Sequence, residues 1–121
     1  MSKYRKIIGR YGEKIARNFL ENKGYSYIQK NFKLWGGEID LVMKDLRTDE
    51  IVFVEVKTRR KEDWQYLDET LTHRQIGNIK KIIPLFLLKY NLEDSNWRID
   101  HIGIIYKDKK IVKIEHFVAI D

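Results

Sequence analysis

Residues 51–59, I-V-F-V-E-V-K-T-R, decide how this chain is read. Residues 51–56 are apolar and mostly β-branched except at Glu55, the composition of a buried strand. Yet Glu55 and Lys57 stand at its end, where packing gains nothing from charge. The side-chain period of two places both on one face.

Just upstream, residues 38–44 alternate, with Ile39, Leu41 and Met43 expected on one face and Glu38, Asp40 and Val42 on the other. A polar turn at 45–49 joins the two segments into a hairpin. A turn centred between Arg47 and Thr48 sets Asp40 opposite Glu55 and Glu38 opposite Lys57, a register that one bulge would shift. Two facing carboxylates repel each other. A hard cation such as Mg²⁺, which binds through one or two carboxylates plus water and phosphate, would resolve that repulsion. A cross-strand ion pair from Lys57 to Asp40 or Glu38 explains the same residues, and the spacing leaves both readings open. Acid-x-Lys alone carries no specificity, because 21–23 and 108–110 match it too.

The surrounding sequence supplies helices for this hairpin. Residues 3–22 repeat apolar side chains at a period of about 3.6, with Tyr4, Ile7, Ile8, Tyr11, Ile15 and Phe19 as the stripe and Gly24 as the stop. Residues 25–33 read as a strand, and Gly36-Gly37 as a turn. Residues 58–69 read as a polar loop carrying Trp64 and Tyr66. Residues 72–90 read as a second helix with Ile76, Ile79, Ile83, Phe86 and Leu87 on its apolar face, kinked or split by Pro84. Strands at 97–106 and 111–117 close the chain. The order α-β-β-β-α-β-β predicts a mixed α/β domain with helices on a sheet.

The chain has 121 residues, 43% of them hydrophobic, which fits a single domain over 1–121 with a real core. It has no cysteine, excluding disulfides and zinc–thiolate sites. His73, His101 and His116 lack metal-ligand spacing. No stretch approaches the roughly 20 apolar residues of a membrane span, and the first residues lack a signal-peptide core, so a soluble cytoplasmic protein without membrane contact is expected. The net charge of +6 favours an anionic partner, nucleic acid being the commonest.

GGEIDLVMKD at 36–45 followed by IVFVEVKTR resembles the bacterial YraN-type family of small uncharacterised proteins. YGEKIARNFLENKGY at 11–25, THRQ at 72–75, WRIDHIGI at 97–104 and IEHFVAI at 114–120 extend the resemblance over nearly the whole chain. That family is assigned to the restriction-endonuclease-like superfamily, with its PD-(D/E)xK signature, which includes archaeal Holliday junction resolvases. The resemblance implies a restriction-endonuclease-like α/β core and Mg²⁺- or Mn²⁺-dependent hydrolysis of nucleic-acid phosphodiesters, most naturally in DNA, with branched or junction DNA among the substrates it suggests. It implies Asp40 and Glu55 as metal ligands, joined by the carbonyl of Val56, and Lys57 as the catalytic lysine. Glu13, after Gly12, matches a first-helix glutamate, and Gln75 a polar residue opening the second helix. On their own residues, Glu13 reads equally as a solvated glutamate and Gln75 as half of a capping box with Thr72. Ile39 replaces the signature's proline, and Arg74 replaces a lysine.

Arg59, Arg60, Arg74 and Lys80 would track a phosphate backbone, or else form an ordinary solvated face. Asp100 reads as an ion-pair partner of Arg98. The closing HFVAI segment could carry a homodimer interface. A binding module with a vestigial site on the same fold is the alternative to a nuclease.

Overall fold

A computed structural model describes the backbone of residues 3–62 and 73–121, and side chains from residue 11 onward within those ranges. The expected order is observed: α1 (Lys3–Asn22), β1 (Tyr25–Leu34), β2 (Gly37–Asp45), β3 (Glu50–Arg60), α2 (His73–Lys89), β4 (Trp97–Lys107) and β5 (Lys110–Phe117). The strands form one mixed sheet in sequence order. The β3–β4 pair is parallel and the other three are antiparallel. A parallel pair needs a long crossover, and α2 lies within it.

Each face of the sheet carries its own core. On one, Ile79, Ile82, Ile83, Phe86 and Leu87 of α2 cover Phe32, Ile39, Val42, Ile51, Phe53 and Ile99. Phe86 meets Phe32 and Phe53 edge-on, with ring centroids 5.1 and 5.4 Å away. On the other, Ala16 and Leu20 of α1 cover Leu41, Met43, Val52, Val54, Ile102 and Ile104. Fully burying one such side chain contributes about 1.5–3 kcal/mol before entropy is counted. Among the described residues, no helix is long and apolar enough to cross a membrane.

Several expectations are corrected. The large-residue stripe of α1 holds only in part: Ile15 and Phe19 pack half-buried against the core, Tyr11 is exposed, and the fully buried positions are Gly12, Ala16 and Leu20. Small residues let the helix backbone approach the sheet, and a Cβ on Gly12 would sit 2.5 Å from Thr58 Cγ2. The side chains of Tyr4, Ile7 and Ile8 lie outside the described residues, as do Trp64, Tyr66 and Thr72. Pro84 does not split α2, which is one helix. Strand β3 continues to Arg60, in register with Tyr106, where a loop was expected, because β4 supplies it with a parallel partner. The β1–β2 turn is made by Trp35 and Gly36, with Gly37 already paired to Leu34.

Asp45 is buried rather than part of a solvated turn. Arg98 explains this. Its guanidinium lies 3.1 Å from Asp45, 2.8 Å from Glu50 and 3.0 Å from Asp100, and donates to Tyr25 Oη at 2.8 Å. Asp100 also contacts His116 Nε2 at 2.7 Å and accepts from Ala119 N–H at 2.9 Å. One largely covered cation thus ties the starts of β1, β3 and β4 to the end of β2, and through Asp100 to the tail after β5. Desolvation opposes the ionisation of Asp45 and Asp100, but hydrogen bonds and the Arg98 charge outweigh it and hold both below the usual carboxylate range.

Candidate functional site

The β2–β3 hairpin has the expected register: Leu41 faces Val54, Val42 faces Phe53 and Asp45 faces Glu50. Continued by one rung, it sets Asp40 opposite Glu55. The ladder stops one rung short of that pair. Instead of a backbone partner, the Val56 N–H takes the Asp40 carboxylate, donating to Oδ2 at 2.8 Å.

The irregularity reaches β1 as well. Its paired register passes from Lys30–Leu41 to Phe32–Ile39, leaving Asn31 and Asp40 unpaired between them. Asn31 adopts a left-handed φ of 51°, a conformation asparagine tolerates better than most residues. The pleat slips here. Ile39 packs in the α2 core with Val42, whereas Leu41 and Met43 pack in the α1 core. The expected grouping of Ile39 with Leu41 and Met43 is therefore wrong, because a residue outside the ladder need not keep the alternation.

Asp40 stands at the centre of this break with acidic groups on both sides. Toward β3, its carboxyl is within hydrogen-bonding reach of Glu55, with the Lys57 charge close by. Glu55 is buried, and its Oε1 has no hydrogen-bond partner. Burial, followed by the Asp40 charge, pushes the Glu55 carboxyl up to about 9 against the pull of Lys57. Burial also raises Asp40. Two carboxyls this close disfavour each other's ionisation. Toward α1, Glu13, Glu38 and Asp40 each bring a carboxylate oxygen within 4.8 Å of the others. The Asn31 side-chain amide faces these carboxylates; assigned with its nitrogen toward them, as three acceptors require, it donates to Glu13 at 2.9 and 3.1 Å and to Glu38 at 3.2 Å. Burial, then Asp40, then Glu38 pushes Glu13 up to about 7.

Backbone groups complete the rung. A strand residue points its N–H and C=O toward the same neighbour. The Val56 carbonyl therefore faces the same gap as the N–H that holds Asp40. On the other edge of β3, His101 Nδ1 donates to the Glu55 carbonyl at 3.1 Å and fixes the backbone beneath the carboxylate. His101 itself is buried and stacked on Phe117.

The fold thus gathers Asp40, Glu55, Lys57, Val56 and Glu13. Gln75 lies half-buried in the first turn of α2. Arg59 bonds the carbonyl of Thr58 at 2.9 Å, Arg60 lies 3.4 Å from Glu62, Lys80 pairs with Asp121, and Arg74 is exposed. Sequence reasoning missed Glu38 as a member of the cluster and missed Asn31 altogether. The Glu38-x-Asp40 spacing carried the first signal, since residues two apart share a face.

Fold and site together define a mixed α/β protein with a carboxylate cluster built around a break in its sheet. The chain belongs to UPF0102, an uncharacterised protein family whose pattern matches residues 12–104. It is 39% identical to a UPF0102 protein of Syntrophomonas wolfei over 111 residues, 92% of this chain and 94% of that one. A UPF0102 protein of Caldanaerobacter subterraneus is 35% identical over 116 residues, 94% and 93% of the two chains. One from Pelotomaculum thermopropionicum is 32% identical over 118 residues, 97% of each.

Proposed function

We propose that this protein is a metal-dependent nuclease that hydrolyses phosphodiester bonds in nucleic acid, DNA in the first instance. The observation that carries this reading is Glu55 Oε1, a buried carboxylate oxygen without a hydrogen-bond partner, beside a second carboxyl and a lysine. An anion in that position needs either a proton or a cation. The donor set is all oxygen, which suits Mg²⁺ or Mn²⁺ rather than a soft metal.

Asp40, Glu55 and the Val56 carbonyl would hold the ion, with Glu13 and Glu38 on the far side of Asp40. A divalent ion bound there supplies Lewis-acid stabilisation of a phosphoryl oxygen and a water of lowered pKa. The chain's own residues do the rest. The Val56 N–H fixes the Asp40 carboxylate, leaving its other oxygen to ligate. Lys57 places a positive charge beside the carboxyl pair, where it can orient an attacking water and offset charge on the phosphate. Glu13, at about 7, can accept a proton near neutral pH. Arg59, Arg60 and Arg74 would contact flanking phosphates, and Lys80 could do so only by leaving Asp121.

The assignment to DNA rests on the family resemblance and the net charge of +6. The test is cleavage of labelled nucleic acid in Mg²⁺ or Mn²⁺. Cutting that disappears with chelator and in Asp40→Asn, Glu55→Gln and Lys57→Ala supports the reading. Binding without cutting would leave a nucleic-acid-binding module with a vestigial site.

A further inference from the structure

The most exposed large apolar side chain among the described residues is Trp35, at 80%. It occupies the two-residue turn between β1 and β2, where Leu34 pairs with Gly37. Both turn residues have positive φ, 51° at Trp35 and 75° at Gly36. Positive φ at both central positions marks a type I′ turn, whose first position favours asparagine, aspartate or glycine. A bulky residue there is an outlier. Trp35 therefore carries two costs, a left-handed backbone and an indole in water, and the fold gains no packing from either. Strain of this kind collects at functional sites.

Its surroundings narrow what the indole could meet. An open groove near 470 Å³ is lined by Lys33, Leu34, Trp35, Gly36, Gly37 and Glu38. Beyond its chain neighbours, Gly36 has nothing within 4 Å of where a side chain would begin. A protein-binding hot spot is ringed by contacts that exclude water. Here the exposed neighbours are Lys33, Gly36 and Glu38, and half-buried Leu34 is the one other large apolar side chain in the groove's lining, too little for such a ring. A nucleobase needs only one free aromatic face and a nearby cation for its phosphate. Lys33 supplies that cation. Strand β2 then runs from Gly37 into the acidic cluster, reaching Glu38 after one residue and Asp40 after three, roughly 3 and 10 Å of extended chain.

We propose that Trp35 stacks on an unpaired base of a nucleic-acid strand whose backbone continues to the Asp40–Glu55 site. The protein then selects substrates with a single-stranded or frayed segment on the hairpin side. The inference rests on the nucleic-acid reading of the site and adds the substrate's form.

The test uses the full chain, with labelled oligothymidine and a blunt duplex of equal length, in chelator and in Ca²⁺. Wild type, Trp35→Asn and Trp35→Phe are compared by fluorescence anisotropy. Trp35→Asn should weaken oligothymidine binding about 5- to 150-fold, the range expected for loss of one stacked base. It should leave duplex binding within about threefold, and Trp35→Phe should retain most of the affinity. Asparagine suits a left-handed turn, so Trp35→Asn should unfold no earlier than wild type, which separates lost stacking from lost folding. The proposal falls if wild type does not bind oligothymidine, if Trp35→Asn binds it as wild type does, or if both ligands weaken equally. It also falls if sedimentation shows a wild-type dimer that Trp35→Asn abolishes, which would make the hairpin a self-association surface. Trp35-dependent binding without cleavage would sink the nuclease reading alone. Cleavage indifferent to Trp35 would sink this inference alone.

Discussion

Glu55→Gln should stabilise the metal-free protein at neutral pH. Glutamine has nearly the shape of a protonated glutamate and can donate to Asp40 without carrying a charge. The folded-state pKa of Glu55 is raised to about 9 from an ordinary value of 4.5, burial being the main cause. The folded state therefore binds the proton more tightly than the unfolded chain. The associated stability is fully present below pH 4.5 and is lost as pH rises toward 9. At pH 7.5, three units above the unfolded pKa, linkage at about 1.4 kcal/mol per unit sets an upper limit of about 4 kcal/mol. With local relaxation, the expected gain in Glu55→Gln is about 2–4 kcal/mol. Urea unfolding in chelator at pH 7.5 and pH 4.5 measures it. The variant should exceed wild type at pH 7.5 and match it near pH 4.5. Adding Mn²⁺ should stabilise wild type at pH 7.5 and do so much less in the variant, because the ion replaces the proton that glutamine imitates. Equal destabilisation of Glu55→Gln at both pH values would refute the reasoning, since it would mean the carboxyl is satisfied in a way its unpartnered oxygen does not show.

Three further outcomes follow from other parts of the molecule. Gly12→Ala should destabilise by about 1–3 kcal/mol in urea unfolding, because its Cβ would press on Thr58 Cγ2 at 2.5 Å and push α1 and Glu13 away from β3. Arg98→Met should cost about 3–5 kcal/mol, since it leaves Asp45 and Asp100 buried without their cation; the thermal midpoint is the readout. Asp45 and Asp100 are held below their ordinary value of 3.8, so their contribution is present above that pH and lost as pH falls through the lower folded values. Circular dichroism should therefore show acid unfolding beginning below about pH 4, and Arg98→Met should blunt that dependence.

The hairpin was legible in the sequence because its signals are local. Alternation, a polar turn and the position of Glu55 in an apolar strand were enough to set the register that places Asp40 opposite Glu55. The slip of the pleat at Asp40 was not legible. It depends on Asn31, contributed by a different strand, taking a left-handed backbone and leaving the rung unpaired. Glu38 joined the cluster only through that slip and through α1 bringing Glu13 close. Apolar periodicity misled on α1 because it weighs side-chain area. Gly12 and Ala16 add little area, yet they set how near the helix lies to the sheet. Asp45 looked like a turn residue because its partner, Arg98, is more than fifty residues away in sequence. The proposed metal-ligand roles came from the family resemblance, and the broken rung supplies a physical reason for residues of those types to stand there.

The most direct test of the central claim is endonuclease cleavage by the full chain on duplex, single-stranded, flapped and four-way-junction DNA, and on RNA. Each is incubated with Mg²⁺, Mn²⁺ or chelator beside Asp40→Asn and Lys57→Ala. The account predicts cutting that requires the metal and is lost in both variants, with substrates containing unpaired strands preferred. Cutting that survives both substitutions, or no cutting by a folded protein that binds these substrates, would contradict it.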